Sequence, residues 1–550
     1  MYFSSLFALV SLAWAVPTLV TNPTDAVFNA SSFQVHSLPD GPSLPRSWAG
    51  QLPVPGTLVG NSLFFWLFEA EDPAYDDDLI MWFNGGPGCS SLIGMAEANG
   101  PVSFVGNTTT LTANPYSWTK LGHVLYIDQP VGTGFSTATE PYPAKNNARV
   151  TSDFYAWLGS FYKVFPQLLR KRTHMMGESY AGIYIPYFAS KIIECHDLLP
   201  INLKSISLGD GTFGNSAAMS SVAMGSYLKS QSSILGIPDD ILAAFSEADA
   251  ICGFDEVMKQ ANTFPPRGLI GIPGDPENIN RRSAERRDLD PILDGTCDIH
   301  PVTPEQVKFS ILNSSCYGPC ATFSTAVDYL QTASDSGKGK ACFDMYNIKH
   351  DCGTIDKDAP LAAYFSRADV QAALNLLPPG SNSQARTFSP CNSDILSALL
   401  SSPSEPIPPA YDILPLLTSN TGANVSLHFY QGEYDMLINH FGVELCLQNM
   451  TWNGAQGFSQ KPTAVFFRDN PAPASTSRSL RSQQKEEEAC PEETGDVTEG
   501  PGEEEEEEEA GTWISERGVT YHFFRGAGHS VVTDKPREMF AYVRDVVLAV

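Results

Sequence analysis

Residues 175–186 read MMGESYAGIYIP and place Ser179 at the centre of a Gly-x-Ser-x-small sequence. The residues just before Ser179, RTHMMG, are typical of a strand, and the residues after it, YAGIYIPYFASKIIE, are typical of a helix. A tight turn between strand and helix holds a serine in a strained conformation, and small neighbours let its hydroxyl project from the backbone. A serine that only caps a helix would fit the same pattern, so the interpretation needs support from the rest of the chain.

The segments around this turn alternate between strand and helix. Apolar and aromatic runs at 63–66 and 79–83, separated by the turn residues EDPAYDDD, predict neighbouring strands. HVLYID at 123–128 predicts a buried strand, and apolar residues at helical spacing predict a helix over 153–168. This alternation predicts an α/β protein with a mostly parallel central sheet flanked by helices.

Two segments interrupt the alternation. Residues 262–296, rich in Pro and Gly and containing RRSAERR, predict an exposed loop, and the cysteine-rich stretch 252–352 predicts an insertion stapled by disulfides over the sheet. We place this insertion, or lid, at about 210–355. Residues 470–510, with seven consecutive glutamates at 503–509, predict a disordered acidic insertion rather than a calcium-binding or partner-binding segment. Between the two interruptions, RADVQAALNL predicts a helix and VSLHFYQGEYD a strand.

The N-terminus and the cysteine content indicate the secretory pathway. Residues 1–15 form an apolar run that ends in a small-x-small pattern and predict a signal peptide, although no Lys or Arg precedes the run. Residues 16–550 then form one enzyme domain without a stretch suited to cross a membrane. Eleven cysteines suit an oxidising compartment, as do the predicted glycosylation sites Asn29, Asn107, Asn313, Asn424 and Asn449. We therefore expect an extracellular or vacuolar protein.

Composition argues against two other kinds of function. The formal net charge is −28, and residues 482–510 hold 14 acidic residues and one lysine, which leaves −15 for the rest of the chain. Nucleic-acid binding needs clustered Lys and Arg, so this balance disfavours it. CYGPC at 316–320 has no second Cys or His pair at zinc-ligand spacing, and disulfides explain it better. We expect no metal and no cofactor.

A serine hydroxyl becomes a nucleophile only beside a base that an acid orients. In the α/β-hydrolase chain order the acid follows the serine and the histidine comes last. Asp435 follows the predicted strand LHFYQGEY, and His529 lies in the glycine-flanked stretch FFRGAGHSVVTDKP. On spacing alone, His440 and His522 remain alternative bases.

One further motif connects these residues to a known family. MWFNGGPGCSSLIGMAEANGP at 81–101 places consecutive glycines at a strand end, where backbone amides can face an oxyanion. Together with GESYAG, GEYDMLINHFG and GAGH in the same order, it resembles the serine carboxypeptidase family from about Trp48 to the C-terminus, the two interruptions aside. The resemblance implies an α/β-hydrolase fold and an acid-active exopeptidase that works through an acyl-enzyme.

The resemblance also implies roles for individual residues. Ser179 matches the nucleophile, Asp435 the acid and His529 the base of a catalytic triad. The backbone N–H groups of Gly86 and Tyr180 match the oxyanion hole. The family's bridge between the oxyanion loop and the region before the triad acid matches a pair of cysteines, Cys89 and Cys391.

Four more positions match those that hold the substrate's terminal carboxylate or pack beside it: Trp82, Asn84, Gly85 and Glu178. A protonated Glu178 can share its proton with that carboxylate, whereas two ionised groups would repel each other. Binding should then weaken as the pH rises. The simpler interpretation of Glu178 is a buried structural acid.

The chain departs from the family at two positions. The family commonly has a second recognition glutamate fourteen residues after the motif's asparagine, where this chain has Ala98, so Glu97 is the candidate to replace it. If Glu97 does not, the preference for a C-terminal residue is relaxed. Ser530 stands beside the triad histidine where the family often has methionine, a change expected to reshape the pocket for the leaving residue.

We therefore predict a serine-type carboxypeptidase whose substrates are the C-termini of peptides and proteins. Two alternatives share the fold: an acyltransferase, in which an alcohol takes the acyl group, and a non-catalytic secreted glycoprotein. Release of a free amino acid from a blocked dipeptide would favour the carboxypeptidase over the acyltransferase. Reaction of Ser179 with a fluorophosphonate would exclude the non-catalytic protein.

Overall fold

The computed structural model describes residues 29–139, 145–273, 300–337, 339–350, 358–377, 384–401, 407–419, 423–471 and 508–550. The predicted signal peptide, the basic cluster at 281–287 and residues 472–507 of the acidic insertion lie outside the described residues. What the sequence predicts for these three segments stays a prediction.

The strands, in chain order, are β1 Gln34–Val35, β2 Ser47–Pro53, β3 Ser62–Phe68, β4 Asp78–Phe83, β5 Val102–Phe104, β6 Leu111–Ala113, β7 His123–Asp128, β8 Arg172–Glu178, β9 Asn202–Gly209, β10 Ser426–Gly432, β11 Thr451–Trp452, β12 Ala455–Gln456, β13 Ala464–Phe467, β14 Glu509–Glu516 and β15 Val519–Phe524. Within the described residues, eleven strands form one sheet in the order β1-β2-β3-β7-β4-β8-β9-β10-β15-β14-β13. The six central strands from β7 to β15 run parallel, and the strands at both edges pair antiparallel. The predicted mostly parallel sheet is confirmed.

The helices are α1 Leu92–Glu97, α2 Asn147–Val164, α3 Ala181–Glu194, α4 Ala223–Ser230, α5 Ser232–Leu235, α6 Asp239–Cys252, α7 Phe254–Ala261, α8 Pro304–Leu312, α9 Thr322–Asp335, α10 Asp358–Phe365, α11 Ala368–Ala373, α12 Ser393–Leu400, α13 Ile413–Leu417, α14 His440–Asn449, α15 Val531–Asp534 and α16 Pro536–Tyr542. Short 3₁₀ or π turns lie at Ala30–Phe33, Pro73–Tyr75, Trp118–Lys120, Pro166–Arg170, Ala218–Val222 and Val543–Val547. Among the helices that the structure describes, none combines the length and apolar character needed to cross a bilayer.

Two sequence expectations about individual elements need correction. The strands predicted at 63–66 and 79–83 exist as β3 and β4, but they are not paired, because β7 lies between them. The helix predicted over 153–168 begins six residues earlier, where the side chain of Asn146 accepts a hydrogen bond from the N–H of Arg149. It ends at Val164, just before Pro166, whose ring is disfavoured inside a helix.

Side chains of the central strands enter apolar cores on both faces of the sheet. Phe65 of β3 packs edge-on against Phe161 of α2, at 5.7 Å between ring centroids, in the core that also contains α3. The next residue, Trp66, points to the opposite core, which contains α1 and Tyr542 of α16. A strand buried on both faces reads as a continuous apolar run, which is why β3, β4 and β7 were recognisable in the sequence.

The insertion between β9 and β10 forms a helical layer with its own core. Side chains of α4, α6, α8 and α9 build this core, together with Tyr434 and Met436. These two residues flank Asp435, so the insertion packs against the loop that carries this aspartate. A disulfide between Cys252 and Cys320 joins the end of α6 to the start of α9, in the stretch predicted to be stapled.

The predicted glycosylation sites differ in exposure. Three of them are exposed, namely Asn29, Asn107 and Asn424. Asn313 is partly buried. Asn449 is buried, and its side-chain amide donates to the carbonyl oxygen of Ile270 at 3.0 Å and accepts from its N–H at 2.8 Å. A glycan needs the amide nitrogen in solvent, so the prediction for Asn449 is wrong.

Candidate active site

Ser179 lies at the sharp turn between β8 and α3. Its φ is +63°, a left-handed conformation that residues other than glycine rarely adopt. The Ser179 N–H donates to the carbonyl oxygen of Gly209 at 3.0 Å. The Ser179 carbonyl oxygen accepts from the N–H groups of Gly182 and Thr212, at 2.9 and 3.1 Å. The turn is therefore strained and fixed by backbone hydrogen bonds on both sides.

Small residues on either side of the serine make this turn possible. A Cβ atom at Gly177 would lie 2.3 Å from the carbonyl oxygen of Phe83, so only glycine fits there. Ala181 stands where a second glycine is usual in such turns; it is the first residue of α3 and is fully buried in the core. A methyl group is therefore accommodated at this position.

His529 and Asp435 form a buried hydrogen-bonded pair. Nδ1 of His529 lies 2.7 Å from Oδ2 of Asp435, whose Oδ1 accepts from the N–H of Ile438 at 3.0 Å. The backbone N–H of His529 donates to the carbonyl oxygen of Tyr346, whose ring packs edge-on against the imidazole. Burial is the largest influence and disfavours the imidazolium, but the charge and hydrogen bond of Asp435, with the charges of Glu178 and Asp344, together outweigh it, so the pKa of His529 lies above its usual value.

The two alternative histidines belong to the core. Burial lowers the pKa of His440 and of His522 to about 3, so neither takes up a proton near neutral pH. His522 stacks on Trp513 of β14, and His440 packs against Phe523 of β15. Of the three candidate bases, the structure therefore pairs His529 with the predicted acid.

A hydrogen bond joins the histidine loop to the serine turn. Ser530, the residue after His529, donates from Oγ to Oε2 of Glu178, the residue before Ser179, at 3.1 Å. This contact spans 352 residues of sequence and brings the two loops side by side at the carboxyl ends of parallel strands. Sequence reasoning related Ser530 only to the pocket for the leaving residue and missed this bond.

Glu178 also ends a chain of buried polar side chains. Nε1 of Trp82 donates to Oδ1 of Asn84 at 2.8 Å, and Nδ2 of Asn84 donates to Oε1 of Glu178 at 3.0 Å. Burial raises the pKa of Glu178, although His529 and the hydrogen bonds from Ser530 and Asn84 oppose the rise. Glu178 therefore keeps its proton to a higher pH than an ordinary glutamate.

The glycine pair of the 84–88 loop crosses directly over the serine turn. A Cβ atom at Gly85 would lie 2.4 Å from the backbone nitrogen of Tyr180 and 2.8 Å from Cβ of Ser179, so the two backbones are in contact. Gly86 has a φ of +107°, which favours glycine. Tyr180 immediately precedes α3, so its N–H lies at the positive end of the helix dipole, which favours a negative charge. The N–H groups of Gly86 and Tyr180 thus lie on adjacent segments, as an oxyanion hole requires.

A disulfide holds this loop from its other end. Cys89 and Cys391 are bonded, as the resemblance implies, with their Cα atoms 4.0 Å apart. The neighbouring Ser90 N–H donates to the carbonyl oxygen of Pro390 at 2.7 Å. The 84–88 loop is therefore attached, through Cys89, to a segment 302 residues away in sequence.

Asp128 supports the same loop, and sequence reasoning did not single it out. It is the last residue of β7 and is buried. Its carboxylate accepts from three donors: Oγ of Ser90 at 2.5 Å, the N–H of Ser91 at 3.0 Å and the N–H of Phe135 at 2.8 Å. Burial raises the pKa of Asp128 to about 6, with these hydrogen bonds opposing the rise. An aspartate directly after the buried run VLYI was the signal that could have identified it.

Glu97 lies at the end of the helix that follows the oxyanion loop. It is the last residue of α1 and is partly buried, and Ala98 is buried in the core that contains Trp82. The N–H of Gly94 in the same helix donates to Oδ1 of Asn84 at 3.1 Å, which joins α1 to the buried polar chain that ends at Glu178. A recognition role for Glu97 stays a prediction.

One cluster at the site has the composition of a metal-ligand set. A ligand atom from each of Asp210, Asp435 and His529 lies within 4.8 Å of the others, and all three residues are buried. A metal between His529 and Asp435 would hold their ligand atoms well beyond the observed 2.7 Å, because each metal–ligand bond is about 2 Å long. The direct hydrogen bond instead suits a carboxylate that orients the imidazole and stabilises its protonated form.

A mostly parallel sheet, a strained serine turn after one strand and a buried aspartate–histidine pair in the expected chain order define the class of α/β-hydrolase-fold serine hydrolases. Within that class, the chain belongs to the serine carboxypeptidase family, because its residues 42–549 match the sequence profile of this family. It is a serine carboxypeptidase, and its substrates are peptides or proteins.

Individual relatives agree with this assignment. The "Carboxypeptidase Y homolog" of Arthroderma benhamiae is 45% identical over 554 aligned positions, which cover 100% of both chains. The "Pheromone-processing carboxypeptidase KEX1" of Verticillium alfalfae is 29% identical over 96% of this chain and 68% of that protein. The crystal structure of Kex1(delta)p, a prohormone-processing carboxypeptidase from Saccharomyces cerevisiae, matches 94% of this chain and 95% of its own with a TM-score of 0.58 and 21% identity, which supports the fold.

Proposed function

We propose that Ser179, His529 and Asp435 form the catalytic triad of this carboxypeptidase and act on the last peptide bond of the substrate. The observation that carries the proposal is the hydrogen bond between Ser530 and Glu178, since it places the histidine of a buried aspartate–histidine pair beside the serine turn. A serine positioned in this way is activated by the imidazole that takes its proton.

In the first half-reaction, Oγ of Ser179 attacks the carbonyl carbon while Nε2 of His529 takes the hydroxyl proton. Asp435 holds Nδ1–H and stabilises the imidazolium. The oxyanion accepts hydrogen bonds from the N–H groups of Gly86 and Tyr180, each of which stabilises the transition state by about 3 kcal/mol. His529 then gives the proton to the leaving nitrogen, the C–N bond breaks and the free amino acid departs, which leaves an ester on Ser179.

Water completes the cycle by the same steps. His529 takes a proton from the water, whose oxygen attacks the ester carbonyl. The bond to Oγ of Ser179 breaks, and Ser179 recovers the proton from His529. An alcohol in place of water would yield a new ester, which is the acyltransferase reaction.

We assign recognition of the free C-terminus to Glu178, Asn84 and Gly85. A protonated Glu178 donates its O–H to one oxygen of the terminal carboxylate, and the backbone N–H of Gly85 donates to the other. Trp82 supports this arrangement because its indole fixes the orientation of the Asn84 amide. Glu97 is the candidate for a second carboxyl donor. One shared proton is needed between two carboxyl groups, so binding is favoured at acid pH.

The helical insertion forms one wall of the proposed substrate cleft. Its core includes the residues that flank Asp435. The ring of Tyr346, from the segment that follows α9, packs against the imidazole of His529 with 5.2 Å between ring centroids. We therefore assign contact with the residues that flank the scissile bond to side chains of the insertion around Tyr346.

A blocked dipeptide tests the proposed function directly. The wild-type protein should release the free C-terminal amino acid at acid pH, Ser179→Ala should release none, and the same dipeptide with an amidated C-terminus should react far more slowly. Ester formation from an added alcohol without hydrolysis would establish the acyltransferase instead. No turnover by a protein with a native circular dichroism spectrum would establish the non-catalytic alternative.

We also propose that the protein enters the secretory pathway. Disulfides such as Cys89–Cys391 and Cys252–Cys320 persist in oxidising compartments. Exposed acceptor sites such as Asn107 suit attachment of glycans there. Protein from the native host should lose mass on treatment with an endoglycosidase, and an unchanged mass would contradict glycosylation at these sites.

A further inference from the structure

Asp210 lies directly behind the proposed catalytic acid, and the mechanism above does not use it. It follows β9 as Asp435 follows β10, and these strands are parallel neighbours. Asp210 is fully buried, and its N–H donates to the carbonyl oxygen of Tyr430 in β10 at 3.0 Å. Its φ of +43° is unfavourable for a residue other than glycine, so this side chain is held in its place at a cost in free energy.

The two carboxyl oxygens of Asp210 have different surroundings. Oδ1 accepts from Nε2 of Gln431 at 2.6 Å and from the N–H of Gly432 at 2.9 Å. Oδ2 is buried and receives no hydrogen bond from an N–H or O–H donor among the described residues. An oxygen of the Asp435 carboxyl lies within 4.8 Å of an oxygen of the Asp210 carboxyl. Two ionised carboxylates only accept hydrogen bonds, so a bond between these groups requires a proton on one of them.

Hydrogen bonding identifies the group that carries this proton. Asp435 already accepts from Nδ1 of His529 and from the N–H of Ile438, and both bonds favour its ionised form. His529 also lies within 4.8 Å of Asp210, but its Nδ1 is hydrogen-bonded to Asp435 and gives Asp210 no comparable support for a negative charge. The proton therefore belongs on Asp210.

The surroundings of Asp210 also favour its protonated form. Burial raises the pKa of Asp210 most, followed by the charge of Asp435, with a further contribution from Glu178. Tyr430 and Tyr521 also interact electrostatically with Asp210 and are neutral, because burial raises the pKa of each well above its usual value. Two ionised carboxylates that are both buried and lie within 4.8 Å of each other would repel each other strongly.

We propose that Asp210 stays protonated through the catalytic cycle and donates a hydrogen bond to the Asp435 carboxylate, as a positioning residue of the triad. The inference rests on the proposed roles of Asp435 and His529. The donated bond adds a third contact to the Asp435 carboxylate and so fixes its orientation toward the imidazole. It also draws negative charge from Asp435, which makes His529 less basic and keeps the imidazole neutral, as a general base must be, to a lower pH.

Two substitutions separate this role from packing. Asp210→Asn keeps the shape, offers a permanent N–H donor to Asp435 and retains an oxygen for Gln431 and Gly432. It should keep kcat for a blocked dipeptide within roughly threefold of wild type, since one neutral donor replaces another. Asp210→Ala removes the donor and should lower kcat by roughly 10- to 100-fold. It should also move the acid limb of kcat/KM up by about one pH unit, because His529 becomes more basic.

Infrared spectroscopy detects the proton without any need for activity. The wild-type minus Asp210→Asn difference spectrum near neutral pH should contain the carbonyl band of a protonated carboxylic acid that shifts on ¹³C labelling of aspartate. Absence of this band would overturn the inference, as would an Asp210→Asn variant as impaired as Asp210→Ala. If Asp210→Ala does not fold, the kcat of Asp210→Asn and the infrared band still test whether Asp210 carries a proton. If the wild type releases no amino acid, the proposed function fails, while the band still tests the proton on Asp210.

Discussion

Replacing Glu178 with glutamine separates recognition of the substrate carboxylate from the chemical step. The amide fits the site, because its oxygen can accept from Nδ2 of Asn84 and its nitrogen can donate to Oγ of Ser530, where the glutamate oxygens now lie at 3.0 and 3.1 Å. The amide offers a permanent donor to the terminal carboxylate, whereas the glutamate offers one only while it is protonated.

The expected effect on KM follows from the single proton that Glu178 and the substrate carboxylate share. Once the pH exceeds the pKa of the Glu178–substrate pair, each further pH unit should raise the wild-type KM about tenfold, since complex formation requires a proton that is increasingly scarce. The raised pKa of Glu178 moves the start of this rise above the range of an ordinary glutamate. In Glu178→Gln the KM should be independent of pH, and at acid pH it should lie within about tenfold of wild type, because one hydrogen bond replaces another.

The assay is steady-state hydrolysis of a blocked dipeptide across the acid and neutral range, with KM and kcat fitted separately. Near neutral pH the variant should bind the substrate more tightly than the wild type does. The same dipeptide with an amidated C-terminus, used as a competitive inhibitor, provides the control and should show no pH-dependent difference between the two proteins. A Glu178→Gln variant whose KM rises with pH as steeply as the wild-type KM would refute the reasoning.

Three further substitutions test the scaffold of the site. Gly85→Ala should lower kcat/KM by roughly 100-fold in the same assay, because the added methyl would lie 2.4 Å from the Tyr180 nitrogen, which we propose as an oxyanion donor. Cys391→Ser breaks the bridge to Cys89 and should lower the free energy of unfolding by about 2–5 kcal/mol in denaturant titrations. Burial raises the pKa of Asp249 from 3.8 to about 7, so its contribution to stability is complete below about pH 4 and is lost as the pH rises toward 7. Asp249→Asn should therefore gain up to about 1.4 kcal/mol of unfolding free energy per pH unit relative to wild type across that range.

The chain offers a matched control for each of these substitutions. A Cβ atom at Gly159 of α2 would meet no atom within 4 Å, so Gly159→Ala should leave activity unchanged. Cys195 forms no disulfide, and Cys195→Ser should cost far less stability than Cys391→Ser. Asp240 is exposed on the same helix as Asp249, so Asp240→Asn should change the unfolding free energy far less than Asp249→Asn does near neutral pH. Equal effects in the test and control variants would contradict the structural reasons given.

The elements buried on both faces of the sheet were predictable from sequence, but their spatial order was not. Apolar runs identify β3, β4 and β7 individually, since every position is buried. Their order in the sheet depends on pairing between distant segments. No short stretch of sequence indicates that β7 lies between β3 and β4. The start of α2 was missed because its first turn relies on the cap at Asn146 rather than on apolar periodicity.

In the active site, too, local features were predictable from sequence and contacts between distant segments were not. The motifs around Ser179, Asp435 and His529 are local, so the amino-acid sequence alone is enough to name these three candidates. The hydrogen bond from Ser530 to Glu178 and the proximity of Asp210 to Asp435 join distant parts of the chain, and only the assembled sheet shows them.

Local patterns also misled in one case. The sequence around Asn449 satisfies the acceptor pattern for a glycan, but tertiary packing buries the side chain against Ile270. Nothing in the three-residue pattern reports burial, so the structure had to correct it.

Activation of Ser179 by His529 is the central claim, and covalent labelling with a fluorophosphonate tests it most directly. Mass-spectrometric mapping should find one adduct, on Ser179, in the wild-type protein, and His529→Ala should lose the adduct while it remains folded. An adduct on a different serine with Ser179 unmodified, or labelling of Ser179 at the wild-type rate in His529→Ala, would contradict the account.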